Sequence, residues 1–443
     1  MLRPRFVPHN PGRRMRVHLT LLIALIPLAL YGQEQPLVFR GARLYPISQP
    51  PIERGVLVVQ HGKIVAVGPE GEVTIPAQAT VYDVTGKVIM PGLVDTHSHI
   101  GRVEGGDRSA PMHPAVRTLD AIDVRHSSVQ RARAGGITTV NVMSGSGHLL
   151  SGQTVYLKLR KGNTIEDLLY CRDPLTEVCG GLKMANGTNP QGDPPFPGTR
   201  AKAAALVRQQ FLKAVAYRRK IEQAKGDPEK MPERDLDMEA LLEVLDGRRI
   251  VHFHTHRHDD ILTVLRLKRE FGFRVVLHHV SEAWKVADEI AAAGVPCSII
   301  ILDAPGGKLE AAEIRMENGA VLEKAGVDVA IHTDDLITDS RWFLRSAALA
   351  VRAGMSPEKA LEALTLAGAR MLDLADRIGS LDPGKDADFI VLSGDPLSLY
   401  TQVEQTWVEG QKMFDRSDPE DRKYAVGGTG VFDDGDVFVH EGH

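Results

Sequence analysis

Past residue 36, the chain alternates apolar and polar positions in short runs bounded by Gly, Pro and Asp, a pattern typical of β-strands. We predict strands at LVFRGARLY (37–45), GVLVVQ (55–60), KIVAVG (63–68), VYDV (81–84) and KVIM (87–90). His61-Gly62 separates the second run from the third and is a signal for a tight hairpin turn. Strand character returns at ADFIVL (387–392) and QTWVEG (405–410), so both ends of the chain are predicted to be β-rich.

Between residue 91 and about residue 376, apolar runs alternate with amphipathic stretches. The predicted strands lie at 137–142, 250–254, 274–278, 295–302 and 327–332, with helices at about 259–270 and 281–293. Strands that alternate with helices indicate βαβ units and a parallel sheet. Where the alternation is clearest, the spacing of about 25 residues is typical of a (β/α)8 barrel. Residues 185–200 are rich in Pro and Gly and are predicted to form a long loop, followed by a helical extension over 201–248.

The first 32 residues have the features of an export signal. Five arginines and no acidic residue precede the apolar run LTLLIALIPLAL (19–30), and small Gly32 follows it. The run is shorter than the roughly 20 apolar residues of a membrane span, so we predict a signal peptide over 1–32 that is cleaved. The alternative is an uncleaved anchor. Cleavage predicts an exported protein, periplasmic or extracellular, with no stable membrane association.

Composition narrows the classes of partner. The 443 residues contain 53 Lys plus Arg and 57 Asp plus Glu, a net charge of −4. Without the five arginines of residues 1–32, the net charge becomes −9, which argues against binding to nucleic acid through bulk charge. Three cysteines cannot form a disulfide scaffold, although export permits a Cys171–Cys179 bridge; the alternative is two free thiols. We expect a small-molecule substrate, and a homo-oligomer is left open.

Histidine and aspartate cluster where the predicted strands end. The four strand ends are PGLVDTHSH (91–99), FHTH (253–256), LHH (277–279) and IHTDD (331–335). In an extended segment residues i and i+2 point the same way, so both imidazoles of His-x-His can reach one ion. The carboxyl ends of barrel strands carry the catalytic groups. Imidazole with carboxylate suits Zn, and Mn, Fe or Ni less specifically, so the sequence predicts a divalent metal site.

Over residues 37–415 the chain resembles the amidohydrolase superfamily, within its imidazolonepropionase-related branch. The segments that carry the resemblance are PGLVDTHSH (91–99), GLKMANGTNP (181–190), HTHRHDDI (254–261), LHH (277–279), HTDD (332–335) and GSLDPGKDADFIVL (379–392). The resemblance implies an α/β fold: a (β/α)8 TIM-like barrel with a small β-sandwich built from both ends of the chain. We therefore expect a sandwich of 36–90 plus 385–415, a barrel over 91–384, and a polar C-terminal tail over 416–443.

The resemblance also implies roles for particular residues. His97 and His99 match the metal ligands after the first barrel strand, and His254 matches the ligand after the fifth. His279 matches a histidine that either binds a second metal or contacts the hydrolytic water. Asp334 matches an aspartate that is both metal ligand and general base. These matches imply one or two divalent ions, with zinc the first expectation.

Several neighbouring residues have more than one interpretation. Lys183 matches a lysine that in some members is carboxylated and bridges two metals; the alternative, which we favour because no apolar strand surrounds it, is a lysine that binds a substrate carboxylate or flanks the loop. His256 is predicted to contact substrate, with metal binding as the alternative. Arg257 is predicted either to hold a substrate carboxylate or to be a surface residue, and Asn186 to contact substrate.

Three further histidines are predicted from their positions on the strands. His278 alternates with His279 and is expected to pack outside the barrel. His252 shares a face with His254 but lies one layer deeper, as a core histidine or one that supports a ligand. His332 is expected to be either structural or substrate-facing.

These residues together predict a metal-dependent hydrolase of carbon–nitrogen bonds other than endopeptide bonds. Substrates would be cyclic amides, acyl-amino acids or dipeptides. The metal would activate a water molecule, Asp334 would accept its proton, and His279 would help to polarise the carbonyl. One alternative is a deaminase that acts on a ring carbon, which would release ammonia. Another is a periplasmic metal-binding protein without catalysis.

Overall fold

The computed structural model describes residues 35–103, 105–301, 308–428 and 431. The predicted signal peptide over 1–32 and residues 432–443 of the predicted tail lie outside the described residues. In chain order the strands are β1 (Leu37–Leu44), β2 (Ile52–Gln60), β3 (Lys63–Pro69), β4 (Thr80–Asp83), β5 (Val88–Pro91), β6 (Leu93–Ser98), β7 (Ile137–Val142), β8 (Leu150–Gln153), β9 (Val155–Lys158), β10 (Leu182–Ala185), β11 (Val251–Thr255), β12 (Val275–His279), β13 (Cys297–Ile299), β14 (Val329–Ile331), β15 (Phe389–Leu392), β16 (Val403–Val408) and β17 (Gln411–Asp415).

Helices separate most of the central strands. They are α1 (Ser127–Ala134), α2 (Ile165–Leu168), α3 (Arg200–Ala224), α4 (Leu236–Leu245), α5 (His258–Phe271), α6 (Ala287–Ala292), α7 (Asn318–Lys324), α8 (Arg345–Arg352), α9 (Pro357–Ala363), α10 (Leu366–Met371) and α11 (Pro419–Val426). Short 3₁₀ helices lie at Thr118–Ala121, Ala283–Lys285, Leu309–Ala311 and Ser340–Trp342. Within the part of the chain that the structure describes, none of these helices has the length and apolar character that a membrane span needs.

Strands from both ends of the chain form one mixed sheet, the composite sheet. Its order is β17-β16-β15-β5-β1-β2-β3, and β4 pairs with β1. The ends meet where β15 pairs antiparallel with β5. Aromatic rings from both ends pack in its core, with Phe39 4.9 Å from Phe389 and 5.1 Å from Trp407 between ring centroids. The hairpin turn between β2 and β3 is confirmed, because both His61 (φ 52°) and Gly62 (φ 72°) are left-handed.

The central strands form two further sheets. One has the order β14-β13-β12-β11-β10-β8 and is parallel except for β8; the other has the order β6-β7-β9. The sheets are joined beyond β14, where the Asp334 backbone N–H donates to the His97 carbonyl at 2.9 Å. The described residues therefore form an α/β fold with mixed sheets. Among these residues the strand pairings do not close into the continuous ring of the expected barrel. The carboxyl ends of β6, β11, β12 and β14 carry the predicted metal ligands.

Several expected elements differ from the structure. The strand predicted at 295–302 is limited to β13, and the helix predicted at 281–293 is divided into Ala283–Lys285 and α6. Lys183 lies on β10, a buried strand between β8 and β11, where we expected no strand. The polar tail expected from residue 416 begins with a helix that we did not predict, α11, which is capped by the Asp418 carboxylate as it accepts from the Glu420 N–H at 2.9 Å.

A buried ion cluster joins β9 to the composite sheet. The Lys158 ammonium is completely buried and contacts Asp386, Asp388 (3.1 Å) and Glu409 (3.2 Å). Burial alone would lower the pKa of Lys158, but the surrounding carboxylates, Asp388 first, raise it above its ordinary value. The lysine is therefore charged, and it neutralises carboxylates that have little access to water.

Replacing Lys158 by Met should destabilise the protein by about 3–5 kcal/mol, because the buried Asp388 carboxylate would lose its ion-pair partner, while Asp386 and Glu409 would keep arginine partners. Chemical denaturation followed by fluorescence measures the free energy of unfolding. Lys161→Met, at an exposed position, is the control and should change it by less than about 0.5 kcal/mol. Equal stability of the two variants would contradict a structural role for the cluster.

Cys171 and Cys179 form a disulfide in the structure, with their Cα atoms 5.1 Å apart, while Cys297 is buried as a free thiol. This outcome selects the disulfide from the two alternatives that the sequence left open. Thiol titration of protein purified without reductant and then denatured should give one thiol per chain, rising to three after reduction. Three thiols before reduction would contradict the disulfide.

Candidate metal centre

Asp95 ties the strand that carries the His-x-His motif to the end of β14. Its Oδ1 accepts from the backbone N–H of Thr333 at 3.0 Å and of His97 at 3.3 Å, and its Oδ2 accepts from the Thr333 hydroxyl at 2.5 Å. Burial raises the pKa of Asp95 to about 7, although these hydrogen bonds act in the opposite direction. The carboxylate thus fixes the two segments that present His97 and Asp334.

His97, His99 and Asp334 form a cluster that we call the inner triad. Asp334 Oδ1 lies 2.9 Å from His99 Nε2 and 3.4 Å from His97 Nε2. Burial alone would raise the pKa of Asp334, but His99, when its Nε2 carries a proton and donates to Oδ1, lowers it well below its ordinary value. One ligand atom from each residue lies within 4.8 Å of the others, which is close enough for one ion to contact all three.

The hydrogen bonds of His99 test whether a cation fits this triad. Its Nδ1 lies 2.7 Å from the Met143 carbonyl, which can only accept, so Nδ1 carries a proton. When Nε2 carries no proton, its lone pair faces the Asp334 carboxylate, and two acceptors 2.9 Å apart then need a proton or a cation between them. A divalent cation between them would satisfy both, and the carbonyl is a common partner for the outer nitrogen of a metal-binding histidine. The residues present therefore fit a metal.

His279 lies beside the inner triad, with its ring centroid 4.8 Å from that of His97 and 4.3 Å from that of His254. Its backbone is left-handed (φ 68°), which turns the side chain at the strand end. Nδ1 lies 3.3 Å from His332 Nε2, and Ser298 Oγ lies 2.8 Å from His332 Nδ1. His279 Nε2 is buried and has no hydrogen-bond partner among the described residues, so it is available to an ion, a water or a substrate oxygen.

His278 faces the interior, so the prediction that it packs outside the barrel is wrong. Its Nδ1 lies 3.3 Å from His97 Nδ1, and its Nε2 lies 3.0 Å from His252 Nδ1. His278 is the register partner of His254, so the two point to the same side of the sheet. His252 is a deeper core histidine, as expected, and its Nε2 lies 2.9 Å from the Tyr156 hydroxyl.

Lys183 reaches the inner triad from β10. Its Nζ lies 3.0 Å from His97 Nε2 and 3.2 Å from Met143 Sδ. Burial lowers the pKa of Lys183 to about 7. We favoured an unmodified lysine because no strand was predicted around Lys183. Lys183 lies on β10, so that argument no longer holds. Its carboxylation stays a hypothesis.

A second group of ligand atoms lies at the end of β11. His254, His256 and Glu310 each offer one atom within 4.8 Å of the others, and all three residues are buried. We call them the outer triad. Glu310 was missed from the sequence, because it follows no strand end and no motif marks it.

Apart from His99, whose side chain is 20% exposed, the imidazoles of the two triads and that of His279 lie in water-poor surroundings. Burial is the first cause that lowers the pKa of His97, His254, His256 and His279 well below the ordinary value. These rings are therefore neutral at pH 7, the form in which histidine binds a metal.

The predicted substrate-binding residues occupy different surroundings. Arg257 is 40% exposed in its side chain and is paired with Asp259 at 2.9 Å, so its substrate role stays a prediction. Asn186 donates from Nδ2 to the Asp260 carbonyl at 3.0 Å, while its Oδ1 is buried and has no hydrogen-bond partner in the described residues. His256 is buried beside His254, with ring centroids 4.6 Å apart.

Comparison with known proteins identifies the family of the chain. The model of the amidohydrolase family matches residues 88–413. The chain is 26% identical over 394 residues to amidohydrolase tasK of Hapsidospora irregularis, covering 82% of this chain and 39% of that protein. It is 27% identical over 382 residues to an imidazolonepropionase of Hahella chejuensis, covering 77% of this chain and 87% of the relative.

A solved amidohydrolase from Thermotoga maritima MSB8 is also similar, at 36% identity, with a TM-score of 0.80 over 86% of this chain and all of the other. The family match spans the composite sheet's junction, both triads and every predicted ligand. The chain therefore belongs to the amidohydrolase family, in the branch related to imidazolonepropionases, and is a hydrolase of carbon–nitrogen bonds.

Proposed function

We propose that the protein hydrolyses a carbon–nitrogen bond in a small molecule, such as a cyclic amide, an acyl-amino acid or a dipeptide, with a divalent metal held at the inner triad. The observation that carries the proposal is the convergence of three ligand atoms, with Asp334 Oδ1 2.9 Å from His99 Nε2 and 3.4 Å from His97 Nε2. Neutral histidine with carboxylate is a ligand set that suits zinc, which we propose as the metal. When bound, such an ion lowers the pKa of a bound water towards about 7 and polarises a carbonyl.

The chain's own residues would supply the proton transfers. Asp334 is ionised in these surroundings, so its carboxylate can accept the proton of the attacking water and return it to the leaving nitrogen. His279 Nε2, buried and without a described partner, is placed to contact the substrate oxygen or the water. His332 orients its ring, because His332 Nε2 contacts His279 Nδ1, and the Ser298 hydroxyl in turn holds His332 through its Nδ1.

The substrate would lie at the strand ends, next to His256, Lys183 and Asn186. The unpaired Asn186 Oδ1 is an acceptor that suits an N–H donor of the substrate. Buried polar atoms of this kind would orient the amide for hydrolysis. They also discriminate between substrates more strongly than apolar contacts do. Arg257 remains a candidate to bind a substrate carboxylate, which would replace Asp259 as its ion-pair partner.

We further propose that the central strands belong to a TIM-like barrel, and that the protein is exported after cleavage within residues 1–32. The basic residues before LTLLIALIPLAL (19–30) support export. The Cys171–Cys179 disulfide supports it independently, because disulfides persist in oxidising compartments.

Removal of the metal should abolish hydrolysis. Protein dialysed against a chelator should retain less than about 1% of its activity, since the general contribution of a bound ion is several kcal/mol. Addition of Zn or Mn should restore the activity, measured on a panel of dipeptides, acyl-amino acids and cyclic ureides with ammonia release followed in parallel. Full activity in protein shown to be metal-free would contradict the proposal, and release of ammonia without ring or amide opening would favour a deaminase.

Asp334→Asn should lower kcat by about 10²–10⁴-fold while metal still binds, because the amide cannot accept the proton. Metal content measured by mass spectrometry separates this loss from loss of the ion. Asp83→Asn, on exposed β4 of the composite sheet, is the matched control and should keep wild-type turnover. Wild-type turnover in Asp334→Asn would refute its role as the base.

A further inference from the structure

We propose that Lys308 binds a carboxylate of the substrate, and that it selects acyl-amino acids and dipeptides with a free carboxylate over uncharged amides. The inference rests on the proposed function and narrows its substrate class. The Lys308 ammonium lies one side chain away from the end of β11. Its Nζ donates to Asn189 Oδ1 at 3.0 Å, and the Asn189 amide lies 3.3 Å from His254 Nε2.

The Lys308 ammonium is accessible and keeps donors for a ligand. Its side chain is 33% exposed, whereas that of Glu310 beside it is 1% exposed. A lysine ammonium has three N–H donors. Within the described residues, Asn189 Oδ1 accepts from one of them, while Glu310 Oε1, at 3.7 Å, is too far away for a hydrogen bond. Two donors therefore remain for a substrate carboxylate.

Glu310 holds Lys308 near the site without taking its donors. Glu310 Oε2 accepts from the Thr188 N–H at 2.7 Å and lies 3.5 Å from the Arg200 guanidinium, so this carboxylate is fixed from its other side. The attraction between Glu310 and Lys308 keeps the ammonium beside the outer triad. A substrate carboxylate there would accept a charge-assisted hydrogen bond, which is stronger than one between neutral groups.

The charge of Lys308 also acts on the residues of the candidate metal centre. After burial, it is the next cause that lowers the pKa of both His254 and His256. Burial lowers the pKa of Lys308 itself, while the Glu310 and Asp334 carboxylates act in the opposite direction and favour the ammonium. These influences agree with a positive charge that lies close to the strand ends where the substrate is proposed to bind.

The position of Lys308 suits a carboxylate that lies close to the scissile bond. In an acyl-amino acid or a dipeptide, only the nitrogen and the α-carbon separate the scissile carbonyl from the carboxylate. Since a single side chain, Asn189, separates Lys308 from His254, a substrate of this kind can reach both. An uncharged cyclic amide has no anionic group for Lys308 to bind.

Arg257 is the competing candidate for the same carboxylate. Its Nε and Nη2 donate to the two oxygens of Asp259 at 3.0 and 2.9 Å, a bidentate pair that the substrate would have to displace. Lys308 needs no such exchange, because its contact with Asn189 leaves other donors open. The two residues therefore make different predictions for variants that lack the charge.

The kinetic experiment compares an acetyl-amino acid with the same amide that carries hydrogen in place of the carboxylate, in zinc-loaded, full-length protein. Wild type should have a kcat/KM about tenfold or more higher for the carboxylate. Lys308→Met should raise KM for the carboxylate by about 10–100-fold, because a hydrogen bond to a charged group is lost. It should change kcat by less than about threefold and leave the uncharged amide unaffected. Lys308→Arg should recover much of the loss, since it keeps the charge.

Binding without turnover provides a second measurement. Asp334→Asn protein is titrated calorimetrically with the acetyl-amino acid, and addition of Lys308→Met should weaken binding by about 10–100-fold. Arg257→Met tests the competing candidate and should keep the preference for the carboxylate. Lys324→Met, at an exposed position, is the matched control and should also keep it. Circular dichroism and zinc content by mass spectrometry check that each variant folds and holds its metal.

Three results would overturn the role of Lys308: a carboxylate preference that persists in Lys308→Met, one that is lost in Arg257→Met instead, or a wild type that hydrolyses only uncharged amides. Each would leave the proposed function standing, because hydrolysis itself continues. If zinc-loaded wild type hydrolysed no amide, the proposed function would fail instead. The calorimetric titration would then still decide whether Lys308 binds a carboxylate.

Discussion

The buried Asp95 carboxylate is the contact on which the rest of the centre depends. It joins the end of β6 to the end of β14 through the backbone of His97 and both the backbone and the hydroxyl of Thr333. These two strands lie in different sheets, and the bond from the Asp334 N–H to the His97 carbonyl lies beside them. The relative position of the first and last ligands is therefore set by a buried carboxyl group whose hydrogen bonds form only when both strands are in place.

Histidine burial is the second constraint. A row of contacts leads from Tyr156 through His252 and His278 to His97, with each pair 2.9–3.3 Å apart. Each ring has one donor and one acceptor when neutral, so the choice of tautomer at His97 fixes that of His278 and then that of His252. If His97 Nε2 holds the ion, Nδ1 must donate, and every proton in the row points away from the centre. The core beneath the metal ligands is therefore polar, and the tautomer of one ligand, His97, sets the direction of the hydrogen bonds in this row.

The sequence predicted the main features of this architecture for physical reasons that the structure bears out. Alternation and turn residues identified the hairpin at His61-Gly62, and apolar runs identified β7, β11 and β12. The short strand β10 was missed because its four residues include Lys183, which no periodicity marks as buried. The alternation of side chains along β12 predicted the wrong side of the sheet for His278, because the left-handed backbone at His279 ends the regular strand. Glu310 becomes a candidate ligand only through folding, which brings a distant segment against His254 and His256. The helix α11 was missed because it is short and polar.

The pairing of β5 with β15 has a consequence for how the chain acquires its structure. The first five strands are synthesised long before β15, and until then β5 lacks its antiparallel neighbour. The sheet can close only when nearly the whole chain has left the ribosome, so its folding depends on contacts between residues about 300 apart in sequence, which are slow to form. An unpaired strand edge of this kind is open to association with other chains. An N-terminal fragment that ends before β15 therefore cannot complete the composite sheet.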